Sequence, residues 1–263
     1  MKSVVWAMAV AVGAVVAMAQ ALTADQILER VEEQSFLGTG KGSMYLALEV
    51  RVEEPRQAPR DFAFRVWAKG YPDGSAKTLL LYVRPEEVSG TLFLAHLPQG
   101  RPSRIWLWLP DLEILKELVG ETERKGEFIA GSGFTYEDVA RGFTYREGYR
   151  AGLTGEETLQ GVRVWKLVLT ATDPKADWAR LNLWVYQGEF IVLRVEFFDR
   201  TGKLTRVLTV PELVRDALGL RPARLVMEDV VKGARATIAL SERSAADIPE
   251  AYFVPENLAK LKL

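Results

Sequence analysis

Most of this chain alternates apolar and polar residues with a period of two. Between residues 44 and 53, for example, Met44, Leu46, Leu48 and Val50 are separated by mostly polar or small residues. Successive side chains of a β-strand point to opposite faces of its sheet, so this period predicts strands with a buried face. The pattern predicts about eleven strands. They cover residues 44–53, 62–69, 79–84, 91–96, 104–109, 162–172, 180–186, 190–199, 204–210, 223–230 and 234–243.

Short segments rich in proline and glycine separate these strands. Such connections are typical of hairpins between antiparallel neighbours, because a parallel crossover needs a dozen or more residues. No change in composition marks a domain boundary within residues 22–263. The sequence therefore predicts a mostly β (α+β) chain that forms one strongly curved antiparallel sheet or open barrel.

A few short helices are predicted among the strands. Thr23 and Thr135 are each followed three residues later by the Gln or Asp of a capping box, so a helix begins after each. Pro211 occupies the favoured first position of a helix that Gly219 would end. Pro255 predicts a final short helix.

The first 21 residues have the features of a targeting segment. Lys2 precedes an apolar stretch, and small residues follow at the end of it. This order predicts a secretory signal peptide over residues 1–21 that is cleaved after Ala19 or Ala21, with an uncleaved anchor as the alternative. We therefore expect the mature protein outside the cytoplasmic membrane.

Composition and charge exclude several classes of function. The 263 residues carry a formal net charge of −1, and the absence of a basic stripe argues against nucleic-acid binding. The chain contains no cysteine, which excludes disulfides and a lipid-modified cysteine after the signal peptide. His96 is the only histidine, and zinc sites usually need several His or Cys ligands, so a zinc site is not expected. A Ser-His-acid triad would have to use His96 as its base.

Catalytic residues are correspondingly sparse, and we predict neither an enzyme nor a cofactor. The adjacent carboxylates Glu137 and Asp138 could in principle serve a glycosidase, which needs two such groups. Neighbouring acidic residues are common in solvated loops, however, so a secreted carbohydrate-active protein is the less favoured alternative.

Aromatic and apolar residues are the more informative feature. In the strand Ile-Trp-Leu-Trp-Leu, residues 105–109, both faces are apolar. Such a strand suits either a packed core or the wall of a ligand cavity. The alternation alone does not indicate which face would line that cavity.

Two segments resemble a known family. Residues 106–110 read Trp-Leu-Trp-Leu-Pro, and residues 126–138 read Gly-Glu-Phe-Ile-Ala-Gly-Ser-Gly-Phe-Thr-Tyr-Glu-Asp. Together with the signal peptide and the order of elements, they are similar to the outer-membrane lipoprotein-sorting proteins related to LolA. The chain departs from that pattern at Gly133, where the family usually has Asp. The family commonly has a pair of basic residues after Leu-Pro. In this chain Lys116 is the only basic residue within residues 111–117.

The resemblance implies an open half-barrel of about eleven strands, with helices as a lid or plug over an apolar cavity. It also implies a carrier of lipoprotein acyl chains or lipids across the periplasm, for which an inner-membrane transporter and an outer-membrane acceptor are possible partners. We expect a monomer. An envelope sensor with the same fold and no transported cargo is the alternative. The candidate lipid-binding residues of the cavity and lid are Phe62, Phe64, Leu79, Leu81, Phe93, Trp106, Trp108, Phe134, Tyr136 and Leu183.

Overall fold

Thirteen strands form one sheet in the computed structural model, which describes residues 22–34, 42–142, 146, 148–174 and 176–263. The predicted signal peptide lies outside the described residues. In chain order the strands are β1 (Gly42–Glu53), β2 (Arg60–Gly70), β3 (Ala76–Arg84), β4 (Leu92–Leu97), β5 (Arg104–Leu109), β6 (Ile114–Glu117), β7 (Tyr149–Leu159), β8 (Val162–Ala171), β9 (Arg180–Tyr186), β10 (Val192–Phe198), β11 (Leu204–Asp216), β12 (Gly219–Asp229) and β13 (Ala234–Ala245).

The sheet is antiparallel throughout and open at both ends. Its strands lie in the order β6-β5-β4-β3-β2-β1-β13-β12-β11-β10-β9-β8-β7. Pairing of β1 with β13 joins the two halves of the chain, while β6 and β7 form edges that pair with no further described strand. The predicted open antiparallel sheet is confirmed.

The helical elements are short. They are α1 (Ala24–Glu33), α2 (Glu121–Arg124), α3 (Tyr136–Ala140) and four 3₁₀ turns at Glu86–Val88, Pro110–Leu112, Glu250–Phe253 and Pro255–Lys260. Both predicted capping boxes are present, since the side chains of Thr23 and Thr135 accept hydrogen bonds from the backbone of Gln26 and Asp138. None of the described helices combines the length and the hydropathy needed to cross a membrane.

Two expectations from the sequence need correction. The count of about eleven strands omitted β6 and β7, which form the two edges of the sheet. The helix predicted from Pro211 to Gly219 is wrong, because β11 continues through Pro211 to Asp216 and a tight turn leads into β12 at Gly219.

The sheet has an inner face and an outer face, each covered by other parts of the chain. The inner face carries the larger apolar core, which packs against α1 and against residues 126–140, here called the plug. The outer face of β2–β5 carries a smaller core that includes Leu79, Leu94 and Trp106. Residues 246–263, here called the strap, cover it with Ile248, Phe253 and other apolar side chains. Both faces of residues 105–109 are therefore covered.

Candidate ligand-binding site

The plug lies on the inner face of the first half of the sheet. Phe128 is its central aromatic residue, with ring centroids 5.8 Å from Phe64, 5.3 Å from Tyr82 and 5.4 Å from Phe93. The Tyr82 hydroxyl also donates a 3.3 Å hydrogen bond to the Phe128 carbonyl oxygen. The isolated β-bridge of the plug joins Glu127 to Thr135, so both of its strands belong to the plug itself. These contacts between the plug and the sheet are therefore made by side chains.

Two arginines of the sheet hold the turn of the plug through its backbone carbonyls. Arg60 Nη2 donates to Ala130 O at 2.5 Å and to Glu54 Oε1 at 2.6 Å. Arg206 Nη1 donates to Gly133 O at 2.5 Å. Hydrogen bonds from charged donors are stronger than neutral ones. The turn of the plug is therefore attached to β2 and β11 by a small number of directional hydrogen bonds.

Glycines allow this close approach. Gly131 has φ +76°, and a Cβ atom there would lie 2.4 Å from the Glu54 carboxyl carbon. Gly133 has φ +73°, and its Cβ would lie 3.2 Å from Met227 Cγ and 3.8 Å from the Arg206 side chain. The departure from the family pattern at position 133 thus lies directly beside Arg206.

An ionic cluster attaches α3 at the far end of the plug. Glu137 accepts hydrogen bonds from Arg124 at 2.6 Å, from Arg141 at 2.7 Å and from Ser103 at 2.9 Å. Burial alone would raise the pKa of the Glu137 carboxyl, but the hydrogen bonds from Arg141 and Arg124 outweigh it and lower that pKa. Glu137 is therefore an ionised structural anchor that joins α3 to Arg124 of α2 and to Ser103.

The helix α1 packs on the second half of the inner face. Ile27 and Leu28 are buried in the larger core, and the Arg30 guanidinium lies 4.9 Å from the centroid of the Phe190 ring. Val31 and Gln34, at the end of this helix, line a cavity that it shares with the sheet. The helix therefore covers the half of the inner face that the plug leaves free.

Two apolar cavities remain on the inner face of the described sheet. The first, about 70 Å³, lies between the end of α1 and β10–β13. The second, about 40 Å³, lies between the plug and β1–β3 and β13. Leu225, in the wall of the first, pairs directly across strands with Ile238 in the wall of the second. The two cavities are therefore parts of one apolar surface that α1 and the plug divide and cover.

A buried ionic group forms one end of the first cavity. Arg221 and Arg243 both line it, and both donate to the carboxylate of Asp216, at 2.7 Å and 2.6 Å. The hydrogen bonds from Arg243, followed by those from Arg221, hold the pKa of Asp216 far below its usual range despite partial burial. This group therefore pairs two guanidinium groups with one carboxylate.

The ten predicted lipid-binding residues divide between the two faces. Six pack in the core of the inner face: Phe62, Phe64, Phe93, Phe134, Tyr136 and Leu183. Among them Phe64 and Phe134 line the second cavity. Four pack on the outer face under the strap: Leu79, Leu81, Trp106 and Trp108. The outer four do not reach either inner cavity.

Sequence reasoning missed several residues of this site. Phe190, Arg221 and Arg243 line the first cavity without having been predicted, and Phe128 stands at the centre of the plug. His96 has a structural contact, since its Nε2 lies 2.8 Å from the Phe253 carbonyl oxygen of the strap. Burial lowers the pKa of this imidazole. No grouping of His, Cys, Asp or Glu suited to a metal ion occurs among the residues that the structure describes.

Comparison with known proteins places this chain in a family. A family model described as "Uncharacterized protein" matches residues 74–260, which is more than half of the chain. The chain belongs to this family. No curated protein matches the sequence.

Solved structures show that the fold is LolA-like. An outer membrane lipoprotein-sorting protein domain from Vibrio parahaemolyticus is 24% identical with a TM-score of 0.77, covering 90% of this chain and 99% of that one. A DUF1329 family protein from Desulfovibrio piger is 18% identical with a TM-score of 0.75, over 90% and 99% of the two chains. A LolA superfamily protein from Nitrosomonas europaea is 22% identical with a TM-score of 0.69, over 89% and 98%. The predicted LolA-like open half-barrel is confirmed, with thirteen strands.

Proposed function

We propose that this protein is a periplasmic carrier that shields the acyl chains of lipoproteins or lipids on the inner face of its half-barrel. The observation that carries the proposal is the construction of this face. It is a continuous apolar surface whose two covers, α1 and the plug, are attached by side-chain contacts to the sheet. The LolA-like fold supports the same proposal. The function requires no catalytic residue or cofactor.

The energetics of hydrocarbon burial explain why a carrier needs such covers. Each methylene gains about 0.8 kcal/mol on leaving water, so a chain of about sixteen carbons gains on the order of 13 kcal/mol. A soluble protein must offer a comparable apolar surface to accept this chain. It must also cover that surface when empty, because large exposed apolar patches promote aggregation.

The present structure corresponds to the closed form of such a carrier. Cavities of about 70 and 40 Å³ lie well below the roughly 300–1,000 Å³ of pockets that enclose small molecules. Acyl chains would therefore enter only when the plug, α1 or both move away from the sheet. Movement of the plug would break the carbonyl hydrogen bonds of Arg60 and Arg206.

The proposed location and partners follow from the proposed cargo. A cleaved signal peptide over residues 1–21 would deliver the chain, as a single domain over residues 22–263, to the periplasm. An inner-membrane transporter would supply the cargo, and an outer-membrane acceptor would receive it. We propose a monomer, in which the inner face of each chain is available to cargo.

Native mass spectrometry tests the proposal. The mature protein, purified without detergent, is incubated with vesicles of phosphatidylethanolamine and phosphatidylglycerol and then separated from them by gel filtration. We expect protein that retains a stoichiometric amphiphile. Glycerophosphate, which has a headgroup and no acyl chain, is the matched control and should not bind. Protein that stays free of lipid after this treatment would contradict carriage.

An envelope sensor or interaction domain is the second candidate. The small volume of the closed cavities favours it, because a sensor can keep its inner face filled permanently. In that case the protein would form a stable complex with another envelope protein and would bind no amphiphile. The vesicle experiment therefore separates the two functions.

A further inference from the structure

The group formed by Arg221, Arg243 and Asp216 has more positive than negative charge. Two guanidinium groups share one carboxylate, and arginine does not lose its proton in proteins. The side chains of Arg221 and Arg243 are only 10% and 8% exposed. Burying an uncompensated charge is unfavourable. An anion placed beside this group would therefore be stabilised.

Each arginine also has a nitrogen available for such an anion. Arg221 uses Nε for Asp216 and Nη1 for the carbonyl oxygens of Pro222 and Leu240. Arg243 uses Nε and Nη2 for Asp216, and Nη2 also for the Gly219 carbonyl oxygen. Arg221 Nη2 and Arg243 Nη1 make no hydrogen bond to any described residue. Both side chains line the first cavity, so their remaining donors have an adjacent open space.

The rest of that cavity is suited to hydrocarbon. Its wall includes Val31, Phe190, Val195, Leu208 and Leu225, and no acidic residue lines it in the described part of the chain. One end of the cavity is thus cationic while the remainder is apolar. This combination matches a molecule that has a single anionic group and a hydrocarbon tail.

We propose that Arg221 and Arg243 bind the anionic headgroup of an amphiphile, a carboxylate or a phosphate, whose tail lies along the inner face. The inference rests on the proposed carrier function and narrows its cargo to anionic amphiphiles. The fork of a guanidinium suits either headgroup, because both present oxygens that can accept paired hydrogen bonds.

Calorimetric titration with four amphiphiles of equal tail length tests the proposal. The probes are dodecanoate, dodecyl phosphate, dodecanol and dodecyltrimethylammonium. We expect at least one of the two anions to bind tenfold or more tightly than dodecanol, and the cation to bind most weakly. The tighter of the two anions identifies the headgroup as carboxylate or phosphate. Equal binding of all four would overturn this inference alone, whereas binding of none would overturn the carrier function as well.

Three variants test whether the preference for anionic amphiphiles depends on the group formed by Arg221, Arg243 and Asp216. Arg243→Gln should abolish the preference for anions while leaving the affinity for dodecanol unchanged. Asp216→Asn should bind dodecanoate more tightly than the wild type, because it removes the competing carboxylate. Arg215→Gln is the matched control, since Arg215 is 61% exposed and pairs with Glu189. If the cluster only stabilises the fold, Arg243→Gln and Asp216→Asn would weaken binding of every probe alike.

A measurement on the wild type keeps the test valid if Arg243→Gln does not fold. Carbon-13 NMR of carboxyl-labelled dodecanoate follows ionisation of the bound headgroup. A carboxylate beside two guanidinium groups should stay ionised at a pH where the free acid is protonated. A bound carboxyl that titrates at or above the pH of the free acid would overturn the inference.

Discussion

At the residue scale, single side chains determine how firmly the plug is held, and Arg206 is the most direct example. Its side chain is 14% exposed, and the guanidinium donates to the Gly133 carbonyl oxygen. A hydrogen bond to a charged group contributes about 1.5–3 kcal/mol. We therefore expect Arg206→Gln to speed amide hydrogen exchange across residues 128–136 by roughly tenfold or more. Arg224→Gln, which removes an exposed pair with Glu212, should leave this exchange unchanged. Equal exchange in both variants would mean that Arg206 does not hold the plug.

Two buried aromatic residues, one on each face of the sheet, should differ in their effect on ligand binding. Trp106 is 5% exposed under the strap, and Phe128 is 9% exposed in the plug. Replacing either by Ala should cost about 3–5 kcal/mol of folding free energy, measured by denaturant unfolding. Phe128→Ala enlarges the space beside the second cavity, so we expect it to bind dodecanol more tightly. Trp106→Ala should leave dodecanol binding unchanged. A loss of binding in Trp106→Ala would place the ligand on the outer face instead.

The residue scale also shows why the sequence could not identify the cationic end of the cavity. On β13 the side chains of Ala236, Ile238 and Leu240 point to the inner face. In a regular strand the next inward-facing side chain would be that of Glu242. A bulge opposite Ala47 and Leu48 shifts the pairing by one residue, so that Arg243 lies opposite the inward-facing Leu46. Because one inserted residue exchanges the two faces of a strand, the period of two predicts the wrong side chain beyond this point.

At the element scale, the strands with a buried face were predictable, whereas the edge and irregular strands were not. β7 is almost entirely exposed, so its sequence carries no apolar alternation. Pro211 lies in β11 beyond Thr209, the last residue of that strand that pairs with β10. Its missing N–H therefore removes no hydrogen bond from that side of the ladder. A proline at such a position is indistinguishable from a helix start when only the sequence is read.

The strap is the element whose attachment depends most clearly on pH. Glu250 accepts hydrogen bonds from Lys69 at 2.7 Å, Lys77 at 3.1 Å and Tyr71 at 2.9 Å. Chiefly through Lys69, and then Lys77 and Tyr71, these bonds lower the pKa of Glu250 from its ordinary 4.5 to about 2. Because the pKa is lower in the folded state, the stabilisation is complete above pH 4.5 and is lost as the pH falls toward 2.

We therefore expect acidification through this range to loosen the strap and change the fluorescence of Trp67, whose ring lies 5.9 Å from that of Tyr252. Glu250→Gln should remove this component of the pH titration. Glu256→Gln, which alters an exposed residue of the same strap, should retain it. The effect should be modest, because Glu250 is 53% exposed and solvent screens its pairs. Identical titrations of wild type and Glu250→Gln would exclude this role.

At the scale of the whole molecule, the length of the apolar surface sets the size of the cargo. The two cavities span seven consecutive strands, from β10 through β13 and β1 to β3. Neighbouring strands lie about 4.8 Å apart, so this surface extends across roughly 29 Å of sheet. A carrier that opens can use all of it, whereas a protein that stays closed offers two small separate cavities.

A series of primary alcohols with about eight to sixteen carbons distinguishes these cases. If α1 and the plug yield to cargo, each added methylene is buried and contributes about 0.8 kcal/mol, which tightens the dissociation constant roughly fourfold. We expect this increment to persist through the series in calorimetric titrations of the wild type. A plateau at the shortest alcohols would mean that hydrocarbon reaches only the cavities of about 70 and 40 Å³. The inner face would then be a permanent core, and the protein would act through partners as a sensor rather than as a carrier.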